Sequence, residues 1–160
     1  MTSMFTPNTY QRGEAPEAPE VDLSGTVRRL GASYLYTNTT NTPSMYVVCS
    51  FTIPYPVAGR VYQARGLCTI LPNTAASDSD MILSHGLSVT TGGTNMMFYN
   101  TFHPTASKVY GYTIFGEFTY AGTTGDTPYN VVLKVDPHAG SAYTVASAGA
   151  PSILIVDEVL

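Results

Sequence analysis

From Ser44 to Ile53 apolar residues recur at every second position: Met45, Val47, Cys49, Phe51 and Ile53 fall on one side, and Tyr46, Ser50 and Thr52 on the other. A period of two is the signature of a strand, whose successive side chains leave opposite faces of a sheet. The same alternation predicts a strand from Val61 to Leu71, where Tyr62, Ala64, Cys68 and Ile70 share a face and Gln63, Arg65 and Thr69 point away. Met81, Leu83, Leu87 and Val89 mark another, weakened by Gly86, and Met96 to His103 a short aromatic one after the turn residues Thr91 to Thr94. The pattern is clearest from Val109 to Tyr120, with Tyr110, Tyr112, Ile114, Phe118 and Tyr120 in phase. Tyr129, Val131, Leu133 and Val135 follow, ending at the turn Asp136 to Gly140. Tyr143 to Ala146 and Ser152 to Val159 complete the set.

Short strands separated by Gly, Pro, Asn and Thr turns, with no long helical pattern among them, predict an all-β antiparallel β-sandwich or jelly-roll-like domain of about eight or nine strands. One segment reads two ways. Leu23, Val27, Leu30 and Tyr34 recur at helical spacing, so Asp22 to Ala32 fits a short helix capped by Asp22, whereas Gly25, Gly31 and the β-branched Thr26 and Val27 permit a strand. The last strand is apolar on both phases at Ile153, Leu154, Ile155 and Val156. Burial on both sides follows, so Ile153, Ile155 and Val156 are expected in the sandwich or at a subunit interface.

Residues 1–25 differ from the rest. Arg12 there faces Glu14, Glu17, Glu20 and Asp22, so three of the four net negative charges of the chain lie in this segment. The run Glu14-Ala-Pro-Glu-Ala-Pro-Glu20 repeats proline every third residue, which favours extended polyproline-like backbone. The expected organisation is an extended Pro/Glu-rich N-terminal arm over 1–25 and a β-sandwich domain over 26–160.

Composition narrows the function classes. Only 11% of residues are charged, against roughly 25% in an ordinary soluble domain, so the surface carries its polarity in Thr, Ser, Asn and Tyr. Seven scattered Lys and Arg form no basic patch, which argues against nucleic acid as a partner. No apolar run approaches the roughly 18 residues of a membrane span. The opening residues lack the basic region and apolar stretch of a secretory leader. Cys49 and Cys68 have no metal-ligand spacing; both fall on core phases, as buried thiols or as one disulfide.

No constellation for catalysis stands out. His85, His103 and His138 are far apart and form no zinc motif. Ser77-Asp78-Ser79-Asp80 has the start of a calcium loop without its Gly and distal Glu, and reads as a solvated loop. Asp157 and Glu158 are adjacent on a strand and therefore point to opposite faces, so they cannot cooperate as an acid and base. The expectation is a non-enzyme without cofactor or metal, its tyrosines serving core and interface packing or, on loops such as Thr94 to His103, contact with host glycans.

Two stretches carry a resemblance. Phe5-Thr-Pro-Asn-Thr-Tyr-Gln-Arg-Gly-Glu14 resembles the amino-terminal opening of virion structural proteins of actinobacterial tailed phages, with Tyr10 where Trp is commoner. Gly59-Arg-Val-Tyr62 and the closing Ala150-Pro-Ser-Ile-Leu-Ile-Val-Asp-Glu-Val159 are similar to strands of phage head-decoration, head-fibre and minor tail domains. The resemblance implies a bacteriophage virion structural protein, usually a homotrimer, assembled in the host cytoplasm and carried on the extracellular particle. It further implies a capsid decoration protein that binds the major capsid protein, with Phe5, Pro7, Tyr10 and Arg12 of the arm as capsid contacts and capsid stabilisation as the outcome. A minor tail or fibre protein bound to tail proteins, and a carbohydrate-binding adhesion module, are the alternatives.

Overall fold

The computed structural model describes residues 26–160 apart from 75, 76, 91, 92, 125, 126 and 139. The described residues form nine strands: β1 (Val27–Leu35), β2 (Tyr46–Ile53), β3 (Val61–Pro72), β4 (Ser77–Gly86), β5 (Thr94–His103), β6 (Tyr110–Thr119), β7 (Tyr129–Pro137), β8 (Ala142–Thr144) and β9 (Ser152–Val159). They build two sheets in which every pairing is antiparallel. One sheet has the order β1-β9-β3-β6, and the other β2-β7-β4-β5. The short β8 pairs with Ile70 to Pro72 of β3, beyond the Val61 to Leu67 stretch that β9 occupies, so β8 and β9 lie end to end along one side of β3. Apart from the β4–β5 hairpin and the β8–β9 lane, each connection crosses from one sheet to the other. This is the two-sheet jelly roll, which satisfies antiparallel strands without long helices.

The core lies between the sheets. Tyr62 and Ile70 of β3, Leu154 and Val156 of β9, Met81 and Leu83 of β4, and Val131, Leu133 and Val135 of β7 are all essentially solvent-free. Close approach of the sheets sets the residue at two positions. A Cβ on Gly66 would stand 2.7 Å from Leu133 Cδ1, and one on Gly31 would stand 2.5 Å from Phe51 Cε2. Glycine lets β3 seat over Leu133 and β1 over the Phe51 ring.

Most predicted strands are present, with four differences that have physical causes. Val27–Leu35 is a strand, paired with β9 along its length, and the helical alternative for Asp22 to Ala32 is absent from its described part. Ser77 to Asp80 opens β4 and is no loop: Ser77 and Ser79 are buried, with the Ser77 hydroxyl donating to Thr74 O at 2.7 Å and Ser79 O accepting from Thr101 at 2.8 Å. Leu87 and Val89 lie past the end of β4 and are exposed. In β2 a bulge lies between Val47 and Cys49, so Val48 faces no partner on β7 and the phase flips. Cys49, Phe51 and Ile53 keep their expected inward side, but before the bulge the half-buried Tyr46 and the buried Val48 take the places assigned to Met45 and Val47.

Both cysteines are buried free thiols. Burial pushes Cys49 up to about 11 and Cys68 up to about 12, so neither is a thiolate at neutral pH.

Candidate functional site

Of the residues expected to touch partners, Phe5, Pro7, Tyr10 and Arg12 lie outside the described residues, as does the rest of the expected arm. The others lie on β9. Because β9 sits inside its sheet between β1 and β3, its two phases have different fates. Leu154 and Val156 enter the core at zero exposure, so of its two expected places Val156 takes the one in the sandwich and has no surface to offer a neighbouring subunit. Ile153 and Ile155 point the other way and are half-buried.

The register shows what surrounds them. Ile153 is flanked by Tyr34 on β1 and Leu67 on β3, and Ile155 by Ala32 and Arg65, with Phe115 of β6 opposite Arg65. Tyr34, Leu67 and Phe115 are 49%, 42% and 49% exposed. Tyr34 also stacks on Tyr36, with ring centroids 5.7 Å apart. The outer face of the five-stranded sheet therefore carries an apolar patch spanning β1, β9, β3 and β6. Leu67 and Phe115 sit on phases that their strands otherwise give mostly to polar residues, Leu67 between Arg65 and Thr69 and Phe115 between Thr113 and Glu117. An apolar residue on the polar phase was the available sequence signal, and it singles out Leu67 and Phe115 but not Tyr34, whose phase neighbours are Ala32 and Tyr36.

Charges border the patch. Asp157, on the same face, pairs with Arg29 and lies 3.9 Å from Arg65, while Gln63 donates to Glu117 at 3.4 Å. Glu158 faces the opposite way, nearly buried, and pairs with Arg28 and, at 3.5 Å, with Arg60. Each carboxylate thus sits between an arginine of β1 and one on the β3 side, and the two acids have no common substrate space.

A second apolar surface lies on the other sheet. Thr94 to His103, also expected among the loops that could meet glycans, is the edge strand β5, which contains the strand expected from Met96 to His103. Its Phe98 and Phe102, opposite Ile82 and Asp78, are 53% and 60% exposed. Close by, Asp78 and Asp80 engage His138, whose Nδ1 is 3.3 Å from Asp78 Oδ2 and whose Nε2 is 2.5 Å from Asp80 Oδ2. Asn100 donates to the same two carboxylates. Burial alone would lower the His138 pKa, but the hydrogen bonds and charges of Asp78 and Asp80 outweigh it and the value is raised.

One end of the sandwich holds a cleft of about 710 Å³, where the end of β4 and the start of β5 meet the segment following β6. His85, Tyr120 and Tyr129 line it together with Leu87, Ala121, Gly122 and the threonines 94, 119, 123, 124 and 127. The His85 ring stacks on Phe118 at 4.0 Å, and its Nδ1 is 2.9 Å from Tyr129 Oη. Burial lowers the His85 pKa, which keeps the ring neutral at pH 7. The segment after β6 is held from two directions: Tyr120 Oη donates to Thr123 O at 3.2 Å, and Ala58 N donates to Thr124 Oγ1 at 2.9 Å. No sequence pattern pointed to this cleft, because its residues come from strand ends far apart in the chain.

No protein-family model and no curated protein sequence matches the chain. Among solved structures it is similar to the sugar-binding C-terminal domain of EclA, with 15% identity, a TM-score of 0.39, and coverage of 93% of this chain and 89% of that one. It is also similar to Eiger TNF from S. frugiperda, with 14% identity, a TM-score of 0.44, and coverage of 81% and 92%. A third is the structure of infectious bursal disease virus Gt strain, with 12% identity, a TM-score of 0.34, and coverage of 97% and 44%.

Proposed function

We propose that this chain is a non-enzymatic structural protein of a phage virion, and that it decorates the capsid as a homotrimer tethered by residues 1–25. The observation that carries the reading is the apolar patch of Tyr34, Leu67, Phe115, Ile153 and Ile155 on the outer face of one sheet. Contiguous exposed apolar surface rimmed by charges marks a protein contact. A closed ring of three subunits needs two different surfaces on each copy, and Phe98 with Phe102 on the other sheet supplies the second. The sequence resemblance at Phe5 to Glu14 supports the tether, and the jelly roll is an architecture that viral shells use.

Residues 1–25 would anchor as an extended peptide does, through main-chain hydrogen bonds and side-chain pockets, with Phe5, Pro7, Tyr10 and Arg12 in contact with the major capsid protein. Three tethers on one trimer raise the effective concentration of each, so a weak single contact becomes durable. Binding only to the assembled lattice stabilises that lattice by mass action.

Purified capsids lacking the protein, mixed with the full chain or with a chain lacking residues 1–20, test this reading by co-sedimentation. The full chain is expected to pellet with capsids at hundreds of copies per particle, and the truncated chain to remain in the supernatant while keeping its β-sheet circular dichroism. Capsid binding by the truncated chain refutes the tether. A count of a few copies per virion assigns the protein to the tail instead.

A further inference from the structure

The cleft at the end of the sandwich is a different kind of surface from the apolar patch, and it lies on different residues. We propose that it is a binding site for a neutral oligosaccharide. Its volume falls within the range of roughly 300–1,000 Å³ typical of small-ligand sites. Among the described residues its lining contains no Asp, Glu, Lys or Arg. Against the described lining a phosphate, carboxylate or ammonium would find no counter-charge, which disfavours a nucleotide or an acidic sugar there by desolvation.

What the cleft offers is hydroxyls over an aromatic floor. Five threonines and Tyr129 line it; a hydroxyl can donate once and accept twice, and Thr124 and Tyr129, already bonded to Ala58 N and His85 Nδ1, keep part of that capacity. The polyhydroxylated edge of a sugar needs that mixed capacity, and its C–H faces need apolar surface, which His85, Tyr120 and Tyr129 provide.

The floor is preorganised. Tyr120 is buried, and its ring sits edge-on to Tyr129 with centroids 4.9 Å apart. His85 is held between Phe118 and the Tyr129 hydroxyl, so Nδ1 is engaged and Nε2 is the ring nitrogen available to a ligand. Gly122 allows the rim to fold this closely, since a Cβ there would stand 2.3 Å from Tyr120 Oη. Groups held by the fold in this way lose little freedom on binding.

The test is nuclear magnetic resonance on the isotopically labelled full chain, titrated separately with neutral tetrasaccharides of glucan, mannan, xylan and arabinan type, and with an anionic hyaluronan tetrasaccharide. At least one neutral tetrasaccharide is expected to shift the amides of His85, Thr119 to Thr124 and Tyr129 below about 10 mM, the weak range of single-site contacts. The anionic one is expected to leave them unmoved. Tyr129→Phe and the exposed-rim variant Thr123→Val each remove a hydroxyl and are expected to weaken binding about two- to tenfold. Phe115→Ser, on the apolar patch, is expected to bind as the parent does. Absence of shifts with all four neutral sugars, shifts mapping away from the cleft, or unchanged affinity in both hydroxyl variants overturns the proposal. None of these outcomes bears on capsid attachment.

Discussion

Replacing Phe115 by Ser tests whether the outer face of the five-stranded sheet is a subunit contact. Phe115 lies on the edge strand β6 and is 49% exposed in the single chain. An aromatic side chain carries about 150–250 Å² of surface, so roughly 75–120 Å² remains for a partner to cover. At about 25 cal/mol per Å² this amounts to about 2–3 kcal/mol per interface. The rigid-body entropy of association is common to parent and variant and cancels in the comparison. The variant should therefore raise the subunit dissociation constant about 30- to 150-fold. The covered half of the ring is of similar area, so fold stability should fall by up to about 2–3 kcal/mol, and association is compared under conditions where circular dichroism shows both proteins folded. Sedimentation velocity over a concentration series reads the difference, with Val109→Ser as the control: Val109 is 51% exposed and lies outside the patch. A parent protein that stays monomeric throughout the series, or a Phe115→Ser protein that associates like the parent, refutes the assignment.

Two further predictions concern the fold. Gly66→Ala drives a Cβ into Leu133 and Ile114 and should destabilise by about 1–3 kcal/mol, and Leu133→Ala should cost about 2–5 kcal/mol by leaving a cavity. Together they should cost about 1–2 kcal/mol less than their sum in urea unfolding, since each relieves the other; additivity would show that the sheets do not meet as described. His138 carries a pH signature of the opposite sign to that of Asp78. The raised His138 pKa gives stability that is complete below its unfolded value near 6.5 and is lost as pH rises through the folded value. Hydrogen bonds from His138 and then Asn100 lower the Asp78 pKa, so its contribution is present above about 3.8 and is lost as pH falls through the folded value. The melting temperature at low salt should therefore decline from about pH 6 to 8 in the parent and stay flatter in His138→Gln; equal slopes would remove His138 as the cause.

The strands most readable from the sequence were those with one wet and one dry face. Tyr110 to Tyr120 alternates because β6 is an edge strand whose outer phase meets solvent, and the structure follows the pattern residue by residue, with Phe115 as its one large apolar interruption. The reading failed where a neighbour changed the rule. The β2 bulge shifted the phase at Val48, and Ser77 to Asp80 looked like a polar loop, whereas its side chains are satisfied by Thr74 O, by Asn100 on β5 and by His138 just past β7. Of the two readings of Asp22 to Ala32 the strand holds over the described part, since β9 pairs with β1 from Val27 to Leu35 apart from a bulge at Leu30. The cleft left no local trace, because spacing along the chain says nothing about which strand ends converge.

Period-two alternation is a local property of extended backbone, so the amino-acid sequence by itself determined the strand class, most strand positions and the opposition of Asp157 to Glu158. On β9 it could not decide more. With apolar residues on both phases, either Ile153 and Ile155 or Leu154 and Val156 could have met the core. The tertiary structure decided it by placing β9 between β1 and β3, with one face against the second sheet. That choice sealed Val156 inside and left Ile153 and Ile155 on the outer face beside Tyr34, Leu67 and Phe115. Which face of a strand becomes a surface depends on what packs across it, and packing is a property of the whole chain.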